Sequence, residues 1–338
     1  MASISVPQLN DSDILIARAA EVDKLVNAQF EQQIVQMFCR QEAAQLKRRQ
    51  PYLDNEEELA AQARLINHGY IARDLTHEPV VAYFPKSLPE TVVKESRLGL
   101  KSFVQEYTRN KNLKVDHDSR HTNSEHDTLR KQFNGEYGTI HLGTWHASGF
   151  EKRTNPVVTA DLVGTSKHYG ECVNLLTSLA ALTTELSVLF CAMNNLAWYR
   201  ALDLYSLLCQ HLPYAEWSSF RCLWEAWSCR AFLFNVKTDG HRDIRDDQIG
   251  YAAITAFGSF TGGELVVPEL GIRFPLQPGD VVFLKGQLFL HFVTPWEPKG
   301  KEGGRFSIVH FNHQSVVDWI DEQGTEFKKK HGDFDGLK

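Results

Sequence analysis

His241 and Asp243, in His241-Arg242-Asp243, follow a short β-rich run. In extended chain, residues two apart point to one side. The pair therefore presents an imidazole and a carboxylate together. A third ligand from elsewhere completes a 2-His-1-carboxylate face, which suits Fe(II) and leaves positions for a chelating cosubstrate and O2. With fourteen histidines in the chain, about one His-x-Asp is expected by chance, so context decides. The second copy, His331-Gly332-Asp333, has neither histidine nor strand downstream and is set aside. After the first copy, Pro278-Gly279-Asp280 turns into the apolar run Val281–Leu284. The next run, Leu288–Val293, carries His291 among apolar neighbours. Further on, Arg305 opens the run Gly304–Val309. A guanidinium in that apolar setting needs an anionic partner. A dicarboxylate would supply one through a bidentate pair, and Ser307, on the same strand face, would donate to the same carboxylate.

The ordered set His241, Asp243, His291 and Arg305 resembles the Fe(II)/2-oxoglutarate dioxygenases, over about residues 229–320. The resemblance implies an α+β fold with a double-stranded β-helix (jelly roll) core. It implies Fe(II) held by His241, Asp243 and His291, 2-oxoglutarate anchored by Arg305 and Ser307, and O2 as co-reactant. Within that superfamily the AlkB branch expects Asn two positions and a second Arg six positions after the first Arg; here stand Ser307 and Phe311. The TET/JBP branch of nucleic-acid-base oxygenases expects an aromatic residue and then a histidine, which Phe311 and His313 match. The sequence is thus similar to a compact TET/JBP-type protein, without the cysteine-rich zinc-binding region of the vertebrate TET enzymes.

That resemblance implies that Phe311 stacks on a flipped base, that His313 bonds to its edge, and that Asp246, three positions after Asp243, also touches it. Residues 305, 307, 309, 311 and 313 share one face of a regular strand, giving a line from cosubstrate to substrate. An enzyme working on a base must take it out of the stack and hold it by stacking and edge contacts. A carboxylate at Asp246 accepts from the exocyclic amine of cytosine or adenine, where thymine offers an oxygen. The expectation is oxidation of 5-methylcytosine in duplex DNA to 5-hydroxymethylcytosine, with formyl and carboxyl products from further rounds. N6-methyladenine, thymine, RNA or a small molecule as substrate stays open, as does a jelly-roll binding module without activity. The family implies nuclear residence.

These residues need rigid elements behind them. Residues 13–47 read as one helix, with Ile14, Ile16, Ala20, Leu25, Phe30, Ile34 and Phe38 near one stripe and Pro51 as its stop. Asp54-Asn55 and three glutamates read as a helix start and Gly69 as that helix's end. Residues 112–136 read as a long polar loop. With the basic positions around 109–131, it is the expected nucleic-acid contact. Residues 172–210 read as helical and apolar. After Cys229, short β runs at 230–236, 251–257, 264–267, 281–284, 288–293 and 306–311 alternate with turns at Gly262-Gly263 and Pro278-Gly279-Asp280. The expected organisation is a helical N-terminal region to 110, then loop, strands and support helices to 228. The catalytic core follows at 229–325 and a basic tail at 326–338, all in one catalytic domain.

Composition bounds these readings. The 338 residues are 43% hydrophobic and 23% charged, which excludes a disordered or collagen-like chain. The net charge of -6 leaves room only for a local basic groove. Six cysteines include no Cys-x-x-Cys pair, which excludes a zinc ribbon or thioredoxin motif. The start lacks a signal-peptide pattern, and the most apolar stretch, Leu175 to Trp198, is broken by Glu185, Asn194 and Asn195. No membrane contact and an intracellular location are expected.

Overall fold

A computed structural model of the chain describes residues 11–36, 55–110, 112–113, 126–146, 155–163, 166–212, 224–300 and 303–331. The first elements are α1 (Asp11–Gln29), β1 (Glu31–Ile34), α2 (Glu56–Gln62), β2 (Arg64–Leu65), β3 (Tyr70–Arg73), β4 (Pro79–Phe84), α3 (Glu90–Asn110) and α4 (His126–Gln132). Then come β5 (Gly138–Trp145), β6 (Val157–Val158), α5 (Tyr169–Ser178), α6 (Ala180–Met193), α7 (Asn195–His211) and β7 (Cys229–Phe234). The chain continues through β8 (Ala252–Gly262), β9 (Leu265–Val267), β10 (Ile272–Phe274), β11 (Val281–Leu284) and β12 (Phe292–Val293). It closes with β13 (Trp296–Pro298), β14 (Gly304–Phe311) and α8 (Gln314–His331).

The strands form a double-stranded β-helix flanked by helices. The larger sheet has ten strands in the order β1-β3-β4-β11-β8-β14-β7-β5-β6, with β13 on β8; the smaller has the order β12-β9-β10-β2. Between them Val81, Tyr83, Ile254, Val282 and Leu284 of the larger sheet meet Val267, Ile272, Phe274 and Val293 of the smaller. The other face of the larger sheet, with Phe232, Phe234, Phe283, Phe306 and Ile308, packs on α3 and α6 through Leu100, Phe103, Leu186 and Phe190. Covered on both faces, β4 and β11 are buried at every position, and their sequences are accordingly apolar runs without polar alternation. On β14 the two faces divide cleanly. Arg305, Ser307, Val309 and Phe311 face a cavity between the sheets, while Phe306 and Ile308 join the helix-side core.

Several local expectations are corrected. The helix foreseen over 13–47 ends at Gln29, because residues 31–35 give their backbone bonds to β3: Glu31 N donates to Gly69 O and Val35 N to Arg73 O. Its foreseen stripe is also turned: Ile14 and Leu25 are about half exposed, whereas Leu15, Ala19 and Val26 are buried. They pack, with Val22, in the helix-side core. Residues 37–54, with Phe38 and Pro51, lie outside the described residues. The helix after Asn55 stops at Gln62 rather than Gly69, because Arg64–Leu65 pair with β10. Gly69 instead leaves room for the Phe30 ring, which a Cβ there would meet at 2.3 Å. The region to 110 is thus only partly helical: β1, β3 and β4 from it join the larger sheet. Part of the foreseen polar loop is α4, and residues 114–125 lie outside the described residues. The run at 288–293 is extended only at its end, as β12. Among the described residues no single helix is long and apolar enough to cross a membrane.

Candidate active site

His241 and His291 face each other across an antiparallel bridge, with His241 N donating to His291 O at 3.1 Å and His291 N to His241 O at 2.9 Å. Their ring centroids are 4.2 Å apart. Each Nδ1 lies near a main-chain carbonyl two residues earlier, Asp239 O at 2.8 Å and Phe289 O at 3.0 Å. Those carbonyls take the Nδ1–H and leave both Nε2 lone pairs turned to one point. Asp243 completes that point: Oδ1 is 3.5 Å from His241 Nε2 and Oδ2 is 3.4 Å from His291 Nε2. One ligand atom from each of the three residues falls within 4.8 Å of the others. Burial alone would raise the Asp243 carboxyl; the imidazoles of His241 and His291 outweigh it and hold the group well below the usual carboxylate range. Two imidazoles and one carboxylate, with room beside them, match the donor set that Fe(II) takes in oxygenases.

The loop carrying these ligands is tied at both ends. Before it, Gly240 N donates to Glu56 Oε1 of α2 at 2.6 Å. Within it, Asp243 N donates to Gly286 O at 3.0 Å, and a Cβ on Gly286 would stand 2.7 Å from Asp243 Oδ2. Arg242 pairs with Glu269 and also donates to Leu288 O at 3.3 Å. After it, Asp247 takes Arg200 of α7 at 2.6 Å and its N–H donates to Asn312 O at 2.8 Å.

Arg305 is 3% exposed. Its Nη1 donates to Ser307 Oγ at 2.6 Å and its Nη2 to Gly263 O at 3.4 Å, and its plane lies 5.3 Å from the Phe260 ring. Its Nε is buried without a partner, and among the described residues no carboxylate pairs with it. Burial pushes the guanidinium down to about 10. A buried cation with a donor to spare is a seat for an anion. Asn235 fixes the backbone beneath it: Arg305 N donates to Asn235 Oδ1 at 2.9 Å, and Asn235 N donates to Arg305 O at 2.8 Å.

Phe311 and His313 continue the strand outward, with rings 5.2 Å apart at 81°. Asp246 bridges His313 through the backbone. The eight candidate side chains, His241, Asp243, His291, Arg305, Ser307, Phe311, His313 and Asp246, line one cavity of about 1240 Å³. Of the basic positions around 109–131, the described Arg109, Arg130 and Lys131 do not line it: Arg109 pairs with Glu106 and Arg130 donates to Leu113 O at 3.3 Å, while Lys111, Lys114 and Arg120 lie outside the described residues.

Residues 221–314 match the family model Tet_JBP, the oxygenase domain of the 2OGFeDO superfamily. That span is similar to the TET/JBP oxygenase domain. Its superfamily works with Fe(II), 2-oxoglutarate and O2, and the matched span holds all eight candidate residues. A solved structure, NgTET1 in complex with 5mC DNA, is similar over 92% of this chain and 96% of that one, at 15% identity and a TM-score of 0.57. The structure of OsALKBH1 is similar over 70% of this chain and 98% of that one, at 12% identity and a TM-score of 0.35. No curated protein matches the sequence.

Several side chains around the site escape a reading by motif. Glu56 and Asn235 act on backbone from distant or turn positions and carry no spacing signal. Gln287 is buried and donates from Nε2 to Ile244 O and Asp246 O at 3.0 and 3.2 Å, beneath the metal-ligand loop. His141 and Trp145, on β5, line the same cavity. Their signal was legible in Thr139-Ile140-His141-Leu142-Gly143-Thr144-Trp145, where odd positions fall on one strand face.

Proposed function

We propose that this protein oxidises 5-methylcytosine in DNA to 5-hydroxymethylcytosine, and by further rounds to formyl and carboxyl products, on a base flipped out of the duplex. The observation that carries the reading is that Phe311, His313 and Asp246 line the cavity that also holds the histidine–carboxylate triad and Arg305. The presence of 5mC DNA in the complex of NgTET1, a protein of like fold, supports it. When bound, Fe(II) and 2-oxoglutarate together supply an O2-derived oxidant strong enough for a methyl C–H bond.

The residues divide the remaining work. His241, Asp243 and His291 hold the iron. Arg305 receives the far carboxylate of 2-oxoglutarate, and Ser307, whose oxygen already accepts from Arg305, turns its own O–H to the same carboxylate. Phe311 stacks on the base. His313 Nδ1 lies 3.3 Å from Arg245 O, so its proton sits there and Nε2 is left as an acceptor. Burial, with the nearby charges of His141 and Arg245, pushes this imidazole down to about 4, so it is neutral at physiological pH. Two acceptors, His313 Nε2 and the Asp246 carboxylate, suit the N4 amine of cytosine and repel the O4 of thymine.

Incubation with Fe(II), 2-oxoglutarate and a methylated duplex, followed by nucleoside mass spectrometry, tests this. Oxidised cytosine is expected with the wild type and none with His241→Ala. Absence of product, or equal product from the variant, overturns the reading. Asp246→Ala is expected to lower kcat/KM on methylcytosine about ten- to hundred-fold, the loss of one charge-assisted hydrogen bond. Competing oligonucleotides carrying N6-methyladenine, thymine or methylated RNA bases check the choice of base, and product from those alone reassigns the substrate.

A further inference from the structure

At the outer end of the cavity stands a second pair of rings that the proposed chemistry leaves unused. His141 and Trp145 come from β5, their centroids 5.2 Å apart and their planes only 31° from parallel. The pair adjoins the first. Trp145 is 6.0 Å from His313, His141 is 6.3 Å from Phe311, and Phe311 is 5.2 Å from His313. The four rings close a circuit, with the Phe311 ring edge-on to both His141 and His313. Both His141 and Trp145 are half-buried. Trp145 packs on the cluster of Cys229, Ala252 and Phe311, and what remains exposed borders the cavity.

One base covers one ring pair. Both ring pairs line the same cavity of about 1240 Å³. We propose that His141 and Trp145 form a stacking step for the nucleotide next to the target base, so that two consecutive nucleotides of one strand enter the cavity together. The inference rests on the reading of the substrate as a nucleic-acid base. Every base has a π face, so stacking on this step is indifferent to the neighbour's identity. It depends instead on whether the neighbour is free to leave the helix, because a mismatched or single-stranded nucleotide has less pairing and stacking to give up.

The test uses three substrates with one methylated cytosine each: a paired duplex, a duplex mismatched at the adjacent nucleotide, and a single strand. KM and kcat are measured for wild type, Trp145→Ala and Trp145→Phe. For the wild type, unpairing the neighbour is expected to lower KM about ten-fold, within the range of one base–aromatic stack. Trp145→Ala is expected to lose that difference while kcat on the mismatched duplex stays within about two-fold; Trp145→Phe keeps it. A wild-type KM indifferent to unpairing, or a KM raised equally on all substrates by Trp145→Ala, overturns the inference and leaves the reading of the substrate intact. Failure of the wild type to oxidise any of the three removes that reading and this inference with it. The wild-type comparison stands even where a variant does not fold.

Discussion

Arg305 keeps its charge without a carboxylate beside it, and the backbone around it is shaped to allow this. Gly263 has φ near +72°, and a Cβ there would lie 2.8 Å from Arg305 Nε. Both the conformation and the space call for glycine. Gly263→Ala is expected to displace the guanidinium and raise KM for 2-oxoglutarate about ten-fold or more, the scale of a charge-assisted hydrogen bond. Fe(II) affinity, measured separately by metal titration, is expected to stay near wild type. His313 carries a pH signature. In the unfolded chain a histidine protonates near 6.5, whereas folded His313 stays neutral to about 4. Between those values the unfolded state binds more protons, so stability falls as pH is lowered from about 6.5 to 4 and levels off below. Buried His310, pushed down by burial and by Arg230, acts in the same direction. Denaturant midpoints at pH 7 and pH 5 are expected to differ less in His313→Gln than in wild type, which isolates this group from the other histidines.

At the scale of elements, strands and helices that hold no ligand still set the ligands' positions. Residue Glu56, at the start of α2, reaches Gly240 N just before His241. Glu56→Ala is expected to weaken metal binding with little loss of fold, and a Mn(II) titration beside a thermal melt separates the two. Beneath the sheet, on the helix side, Glu225 and Arg230 form an ion pair almost without exposure. Arg230 Nη2 also lies 3.3 Å from Thr183 Oγ1 of α6. Burial raises the Glu225 carboxyl against the pull of Arg230. Removing one partner leaves a buried charge uncompensated, so Glu225→Ala is expected to cost about 3–5 kcal/mol in denaturant unfolding. Replacing both by apolar residues of similar volume is expected to recover much of that loss.

For the whole molecule, the cavity lies between two sheets whose strands come from both halves of the chain. Ligands therefore couple to the fold as a unit. Saturating Mn(II) with 2-oxoglutarate at about a hundred times Kd stabilises by about 2.7 kcal/mol. At this chain length that is a rise of about 4 °C in Tm. His241→Ala is expected to abolish the part due to metal, and Arg305→Met the part due to 2-oxoglutarate. A wild-type melt unmoved by the pair of ligands counts against the iron site.

His241, Asp243 and His291 lie on a loop and an isolated bridge, and it was their order along the chain that pointed to them. Arg305, Ser307 and Phe311 were legible in the sequence as one face because they sit on β14, where a period of two decides which side chains share a face. The C-terminal strand runs were legible for the same reason. The end of α1 was not. Nothing local stops that helix at Gln29; the demand for it comes from β3, far along the chain, whose open edge takes the backbone bonds of residues 31–35. Nor could spacing show that β5 would lay His141 and Trp145 beside Phe311 and His313, because β7 stands between β5 and β14. The types of chemical group were written in the chain. Which groups from distant segments meet was decided by the packing of one sheet against helices on one side and a smaller sheet on the other.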